Sequence, residues 1–131
     1  MSALQSCRLG EAPTEPAPDG SRVSVLLRLD TLSTVHVVLP PGQVSRAVVH
    51  RRVSEVWYIT QGLGQMWREL DGQEDTLSLE PGVSLSLPVG TRFQFRAAPD
   101  QALCALCITT PPWPGGDEAM PAPGPWQPSL P

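Results

Sequence analysis

His50 and Glu55 are the two side chains of this sequence best suited to proton transfer. A carboxylate beside an imidazole raises the basicity of the ring and fixes its tautomer. An imidazole held in this way can act as a general base. We therefore take His50 as the candidate catalytic base and Glu55 as its orienting partner. The alternative is a polar pair without catalysis, since buried polar groups commonly just satisfy one another.

Imidazole and carboxylate side chains can also bind a metal ion. Sites built from imidazole and carboxylate normally need at least three protein ligands. The only other histidine is His36, on the preceding predicted strand, and nothing in its spacing requires it to join His50 and Glu55. We therefore expect no cofactor, with a divalent metal at an incomplete site as the alternative.

Arginine supplies the remaining candidate binding groups. Arg68 could clamp a carboxylate or phosphate through its forked donors. It could equally be a surface residue paired with Glu69 or Asp75, because the facing of its strand is uncertain by one position. The Arg51-Arg52 pair lies between His50 and Glu55, where it could steer an anion toward them.

The cysteines give no sign of a disulfide or a metal site. Their number is odd, which favours reduced thiols. Cys104 and Cys107 form a C-x-x-C, but within an apolar run that predicts a strand. Residues three apart on a strand point to opposite faces, so we interpret both as small buried apolar side chains.

The elements that must position these residues are short strands. About nine alternating or β-branched runs lie between Arg22 and Thr109, without a sustained helical period. Turn signals such as Pro40-Pro41-Gly42, Asp71-Gly72 and Pro81-Gly82 separate them. This spacing predicts an all-β sandwich or barrel, of which the jelly roll is one common form.

The two ends differ in composition from this middle part. Residues 1–20 are rich in Pro, Gly and acid and predict a flexible N-terminal arm. Residues 21–112 form the predicted barrel, and residues 113–131 a Pro- and Trp-rich tail. Eight of the sixteen prolines lie in the last 21 residues, which excludes sheet interior there. The tryptophans argue that part of the tail, around Pro111 to Trp113, packs on the barrel or on a partner subunit.

Charge and composition exclude several functions. The net charge is −4. Because lysine is absent, Schiff-base and pyridoxal-phosphate chemistry are excluded. No basic stripe exists, which argues against a nucleic-acid or anionic-membrane partner. No run resembles a membrane span or a signal peptide. We expect a soluble, cytoplasmic protein.

Two spaced patterns resemble the motifs of the cupin superfamily. Gly42, then after five intervening residues Val48-Val49-His50, and further on Glu55 and Gly62 match the first motif, except that Val48 stands where a histidine is usual. Gly82, then after five intervening residues Pro88-Val89-Gly90, and after two more residues position 93 match the second motif. Phe93 there replaces the usual histidine, and Ala97 the usual asparagine.

The resemblance covers roughly residues 35 to 110. It implies a single-domain cupin-type double-stranded β-helix, an RmlC-like jelly-roll barrel, with Pro-rich arms at both ends and a site between its sheets. Cupins typically bind a metal through three histidines and one glutamate. At the matching positions only His50 and Glu55 can ligate, so the resemblance implies a degenerate metal site.

The resemblance also directs the face of His50 inward. The implied pocket is aromatic and apolar with a few polar groups, as is usual for small-molecule sites. Beside His50 and Glu55, its candidate ligand-binding residues are Val48, Trp57, Met66, Arg68, Phe93 and Phe95. Trp57 could equally be a core residue.

These features leave three functions open. The first is a metal-free or metal-poor module that binds a small, sugar-like or anionic ligand. The second is an isomerase or epimerase on a sugar-like or keto-acid substrate, with His50 as base. The third is a metal enzyme, such as a dioxygenase or sugar-phosphate isomerase, with an irregular ligand set. A homodimer is expected, with the strand at Val23 to Leu29 as candidate edge contact.

Overall fold

The computed structural model describes residues 4–129, which form eleven β-strands and one 3-10 turn at Leu9–Glu11. The strands are β1 (Glu15–Pro16), β2 (Arg22–Arg28), β3 (Ser33–Leu39), β4 (Val48–His50), β5 (Ser54–Gln61), β6 (Gly64–Leu70), β7 (Gln73–Leu79), β8 (Ser84–Leu87), β9 (Arg92–Ala97), β10 (Leu103–Thr110) and β11 (Ala119–Pro121). Within these residues no helix has the length and apolar character needed to cross a membrane.

The strands form two antiparallel sheets. One has six strands in the order β1-β2-β3-β10-β5-β8, and the other has five in the order β11-β4-β9-β6-β7. The inner faces of both sheets contribute to one apolar core. This double-sheet architecture confirms the all-β jelly-roll prediction.

Alternation along the strands decides which side chains enter that core. On β3, Val35, Val37 and Leu39 are buried and the residues between them are half-buried. On β9, Phe93 and Phe95 are almost completely buried. Each such large apolar side chain contributes roughly 1.5–3 kcal/mol when it leaves water. The two-residue alternation of apolar residues in the sequence therefore matches the alternation of buried side chains in the structure.

Two glycines of the spaced motifs are required by the backbone. Gly62, after β5, has a φ of 89°, and a Cβ atom there would lie 2.1 Å from the carbonyl oxygen of Ala102. Gly82, between β7 and β8, has a φ of 98°. L-residues avoid such values, so these turns explain why glycine stands at both positions.

The segment between Gly42 and β4 differs from the strand predicted over 43–50. Only Val48–His50 is a regular strand, and Val44 makes an isolated bridge to Arg96. The backbone N–H of Arg46 donates to the carbonyl of Asp19 at 2.8 Å. The ladder is interrupted here because the N-terminal segment takes a hydrogen bond that a sheet partner would otherwise take.

Both chain ends add edge strands to the barrel. Glu15 and Pro16 of β1 pair with Val23 and Arg22 of β2, and β11 pairs with β4, placing Ala119 opposite His50. Prolines at these places fit, because an edge strand does not need every backbone donor.

The N-terminal segment also covers the rest of the β2 edge. Cys7 Sγ donates to the carbonyl of Leu26 and Gln5 Nε2 to that of Arg28. The β2 edge that was predicted as a dimer contact is thus occupied by the chain's own residues. A second copy could pair there only if this segment were displaced.

Candidate functional site

β4 and β5 bring His50 and Glu55 together at one end of the barrel interior. His50 ends β4 and Glu55 is the second residue of β5, with residues 51–53 turning between them. Both side chains are 8% exposed or less. His50 Nδ1 lies 3.8 Å from Glu55 Oε2, which is contact between polar groups but too long for a hydrogen bond.

Aromatic rings surround this pair. The His50 ring lies 5.3 Å from that of Phe93, edge to face, and 5.5 Å from that of Trp113. Trp57 meets Phe93 at 6.3 Å, and its Nε1 donates to Glu55 Oε1 at 2.9 Å. One oxygen of the carboxyl group is therefore engaged by an indole, and the other faces the imidazole.

A small covered cavity adjoins the pair between the sheets. Its volume is about 30 Å³. Since one water needs roughly 10–15 Å³ of such space, there is room for about two water molecules. Besides His50 and Glu55, the barrel lines it with Val23, Val35, Val37, Trp57, Phe93 and Cys107.

The N-terminal segment covers one side of this cavity. Ala17, Pro18, Asp19 and Ser21 line it. The Asp19 carboxylate is buried and accepts the Ser21 backbone N–H at 2.9 Å and the Ser21 hydroxyl at 2.6 Å. Arg46 holds the segment down, because its Nη1 donates to the carbonyl of Pro18 at 3.0 Å.

The C-terminal segment covers the other side. Trp113 and Ala119 line the cavity. The backbone N–H of Trp113 donates to Ser33 Oγ at 3.0 Å, and its carbonyl accepts Arg28 Nη2 at 2.9 Å. Thus the predicted packing of the region around Pro111 to Trp113 on the barrel is confirmed.

Glu118 anchors this segment to the β4–β5 turn. Its side chain is fully buried, and Oε2 accepts the backbone N–H groups of Arg52 at 2.6 Å and Val53 at 2.8 Å. Burial alone would raise the pKa of Glu118, but these hydrogen bonds and the nearby Arg52 and His50 side chains lower it below the usual value. Glu118 is therefore a charged anchor for the turn that separates His50 from Glu55.

Burial moves the pKa values of the central pair in opposite directions. It lowers the pKa of His50 to about 4, although the charge of Glu118 acts to raise it. It raises the pKa of Glu55 to about 7, although the hydrogen bond from Trp57 acts to lower it. At neutral pH the imidazole is therefore uncharged, and the Glu55 carboxyl holds a proton far more often than an ordinary glutamate does. The rise in imidazole basicity expected from the sequence does not occur, because burial outweighs it.

A family model described as the cupin domain matches residues 35–109, more than half of the chain. The chain belongs to the cupin family. Its two sheets are the double-stranded β-helix of that family, and the motif resemblance assigns Val48, His50, Glu55 and Phe93 to the family's metal-ligand positions.

Solved structures share this cupin fold at low sequence identity. Streptomyces Pac13, solved as a variant with uridine, is 14% identical with a TM-score of 0.70, over 93% of this chain and 92% of that one. KdgF from Halomonas sp. is 20% identical with a TM-score of 0.65, over 83% and 94%. Oxalate decarboxylase from Bacillus subtilis is 12% identical with a TM-score of 0.77, but this chain covers 32% of it. No curated protein sequence matches the chain.

The donor atoms of this cupin do not fit the family's metal. His50 and Glu55 are the two residues of the four that can ligate, and one Glu55 oxygen is engaged by Trp57. His36 lies on the opposite face of β3 from the cavity-lining Val35 and Val37. Among residues 4–129 no group of three or more His, Cys, Asp or Glu side chains is placed to hold a metal ion.

The other predicted ligand-binding residues are only partly assembled at the cavity. Trp57 and Phe93 line it beside His50 and Glu55. Three others are buried in the core and do not line it, namely Val48, Met66 and Phe95.

Arg68 does not reach the cavity. Asp75 lies directly opposite on β7 and takes the guanidinium in a bidentate pair at 3.0 and 2.7 Å, while Nη1 donates to the carbonyl of Ser86. Arg68 instead lines a separate surface groove of about 490 Å³ between β7 and β8. The sequence left two roles open for Arg68, and its pairing with Asp75 as a surface residue is confirmed.

Sequence reasoning missed the residues that the chain ends contribute. Asp19, Trp113 and Glu118 come from Pro-rich segments without periodicity, and nothing in their spacing relates them to His50. The two tryptophans of the tail were the one sequence feature that indicated packing of this segment against the barrel. Cys107, interpreted only as a buried apolar residue, lines the cavity, and burial raises its pKa well above the usual value.

Proposed function

We propose that this cupin binds a small organic molecule in the cavity at His50 and Glu55, without a resident metal. The observation that carries the proposal is a buried carboxyl group beside an uncharged imidazole, enclosed by aromatic rings between two sheets. A few convergent polar groups in an apolar pocket are typical of small-molecule sites. Pac13, described as a nucleoside dehydratase, supports the proposal as a cupin of similar length that was solved with uridine.

A ligand larger than two waters requires part of the cover to move. Residues 17–21 of that cover lie between the paired strands β1 and β2 and are held to the rest of the barrel by two hydrogen bonds from Arg46, to Pro18 and Asp19. The C-terminal part has more attachments, including the Glu118 anchor and the β11–β4 pairing. We therefore propose that residues 17–21 shift outward when the ligand enters, with Asp19 still at the edge of the enlarged cavity.

Acid–base catalysis is the second candidate. A catalytic group works best when its pKa lies near the working pH, and Glu55 meets this condition better than His50. We propose that Glu55 exchanges the proton and that neutral His50 hydrogen-bonds the substrate, the reverse of the roles expected from the sequence. An isomerase or epimerase, in which one group removes and returns a proton, needs no metal.

The binding proposal is tested by two-dimensional amide NMR of the full chain with a library of small organic fragments. We expect fragments that shift the signals of residues 17–21 and of His50 and Glu55. His50→Ala should weaken the binding of these fragments at least tenfold. His36→Ala, which alters the outward-facing histidine, should leave their binding unchanged. Absence of any fragment that moves these signals would contradict the proposal.

Elemental analysis of protein purified without an affinity tag tests the metal. Less than a tenth of an equivalent of iron, manganese, nickel or zinc is expected. A stoichiometric metal would overturn the metal-free part of the proposal and favour a metal enzyme. The expected homodimer and cytoplasmic location remain predictions, to be measured by light scattering and by fractionation.

A further inference from the structure

The charged side chains that line the cavity are all acidic. Among the described residues around it these are Asp19 and Glu55, and His50 is uncharged at neutral pH. Glu118 lies close enough for its charge to act on both His50 and Glu55. No arginine is among the lining residues of this cavity within residues 4–129. Above pH 7, where the Glu55 carboxyl is largely ionised, a negatively charged ligand would therefore be buried against a carboxylate, and burial strengthens such repulsion.

Three arginines near the cavity hold its cover and do not line its interior, although the charge of Arg46 acts on Asp19 and partly offsets the rise in its pKa that burial causes. Arg46 donates to the carbonyl of Pro18, Arg28 to the carbonyl of Trp113, and Arg52 contacts Glu118 at 3.4 Å. Each guanidinium is directed at a covering segment. Arg68, which the sequence suggested as a binding group for an anion, is paired with Asp75 in another groove.

The shape of the lining favours a flat ring. Trp57, Phe93 and Trp113 present aromatic rings to the cavity, and both Phe93 and Trp113 lie within 5.5 Å of the His50 ring, measured between centroids. Aromatic rings prefer to meet other rings offset or edge to face. Glu55 and Asp19 provide acceptor oxygens at the edge of this aromatic lining, so a ligand there needs N–H or O–H donors.

We infer that the ligand is a flat ring compound that donates hydrogen bonds and carries no negative charge. This inference rests on the proposed function, because it names the ligand class of the same cavity. This ligand class differs from the sugar-like or anionic ligand expected from the sequence. Arg68 was the candidate binding group for an anionic ligand. Sugar phosphates and carboxylic acids are thereby excluded as the preferred class.

Matched pairs of probes test the inference at pH 8 with the full chain. Suitable pairs are nicotinamide and nicotinate, benzamide and benzoate, and uridine and uridine 5′-monophosphate. We expect the uncharged member of at least one pair to bind at His50 and Glu55, at least tenfold more tightly than its anionic partner, as measured by amide NMR titration. Equal or tighter binding of the anions would overturn the ligand class while leaving the proposed function intact. If no member of any pair moves these signals, the inferred ligand class is overturned, while the fragment screen still decides the proposed function.

Removing one buried charge tests the physical cause. Glu55→Gln keeps the acceptor for Trp57 Nε1 and deletes the negative charge. Its preference for the uncharged probe over the anionic one should fall at least fivefold. The matched control Glu80→Gln alters an exposed turn carboxyl and should leave the preference unchanged. Asp19→Asn on the covering segment is the second variant, with the same expected direction, should Glu55→Gln fold poorly. An unchanged preference in both cavity variants would overturn the inference.

Discussion

The buried Oε2 of Glu118 accepts the backbone N–H of Val53 at 2.8 Å, so the C-terminal segment determines the conformation of the turn between His50 and Glu55. The adjacent N–H of Arg52 donates to the same oxygen at 2.6 Å. A single carboxylate thus satisfies two backbone donors that no regular strand partner takes. The cupin site of this chain is therefore completed by a residue more than sixty positions away in sequence.

Glu118→Ala should destabilise the protein by about 2–4 kcal/mol, because it leaves two backbone donors without their charged acceptor. Urea unfolding followed by tryptophan fluorescence measures this change. It should also broaden the amide signals of residues 51–53. The control Asp117→Ala removes the neighbouring, exposed carboxylate and should change the free energy of unfolding by less than about 0.5 kcal/mol. Equal effects of the two variants would contradict the anchoring role.

The pH dependence of stability should show two opposing contributions from the central pair. The pKa of Glu55 is raised from 4.5 to about 7, so the folded state holds an extra proton and stability falls as pH rises from about 4.5 to 7. The pKa of His50 is lowered from 6.5 to about 4, so the unfolded state holds the extra proton and stability rises from about pH 4 to 6.5. The two slopes nearly cancel in the wild type between pH 4.5 and 6.5.

Single variants should separate these two slopes. The wild-type free energy of unfolding minus that of Glu55→Gln should fall by about 3 kcal/mol between pH 4.5 and 7, and the difference from His50→Gln should rise by about 3 kcal/mol between pH 4 and 6.5. Urea unfolding at half-unit pH intervals measures both differences. Two flat difference curves would mean that neither group is perturbed by burial.

Much of the fold was predictable because its signals are local. The alternation that buries Val35 and Val37 is a two-residue period, and Gly62 and Gly82 occupy positive-φ turns. His50 and Glu55 were predictable as a pair because a short turn joins their strands. The two-residue period and the turn conformation at each glycine are local properties of the chain.

The remainder of the site depends on contacts that sequence patterns do not encode. Asp19, Trp113 and Glu118 reach the cavity from Pro-rich segments, whose hydrogen bonds go to single residues far away in sequence, on β3, on the segment before β4 and in the β4–β5 turn. Arg68 had two plausible partners, and only the β6–β7 register identifies Asp75. The direction of the His50 pKa shift depends on how completely the cover excludes water.

Replacing two hydrocarbon side chains should create a metal site. Val48→His combined with Phe93→His places imidazoles at the two family ligand positions that this chain lacks. With His50 and Glu55 they form a three-His, one-Glu set that suits divalent transition metals. We expect the double variant to bind one Co²⁺, seen as visible absorption bands, and to unfold at a higher temperature with Ni²⁺ or Zn²⁺ than without.

The matched control for this design is Val49→His combined with Arg92→His. These two residues are paired across β4 and β9 like Val48 and Phe93, but on the outer face of the sheet. The control should show no stoichiometric Co²⁺ spectrum. Metal-dependent stabilisation of the control variant, or its absence in Val48→His combined with Phe93→His, would contradict the prediction. Either result would mean that positions 48, 50, 55 and 93 do not converge on one site as the cupin motifs imply.

Trp113→Ala should open the cavity and make it receptive to an added ring. Trp113 is 9% exposed, and truncating a buried tryptophan costs about 3–5 kcal/mol because the space is only partly refilled. Apolar cavities of this kind bind small aromatic molecules. Indole should therefore raise the thermal midpoint of Trp113→Ala in a concentration-dependent manner. Trp126→Ala, which removes a half-buried ring stacked on Arg96 outside the cavity, should gain nothing from indole. If indole stabilises both variants equally, Trp113 does not cover a ring-sized site.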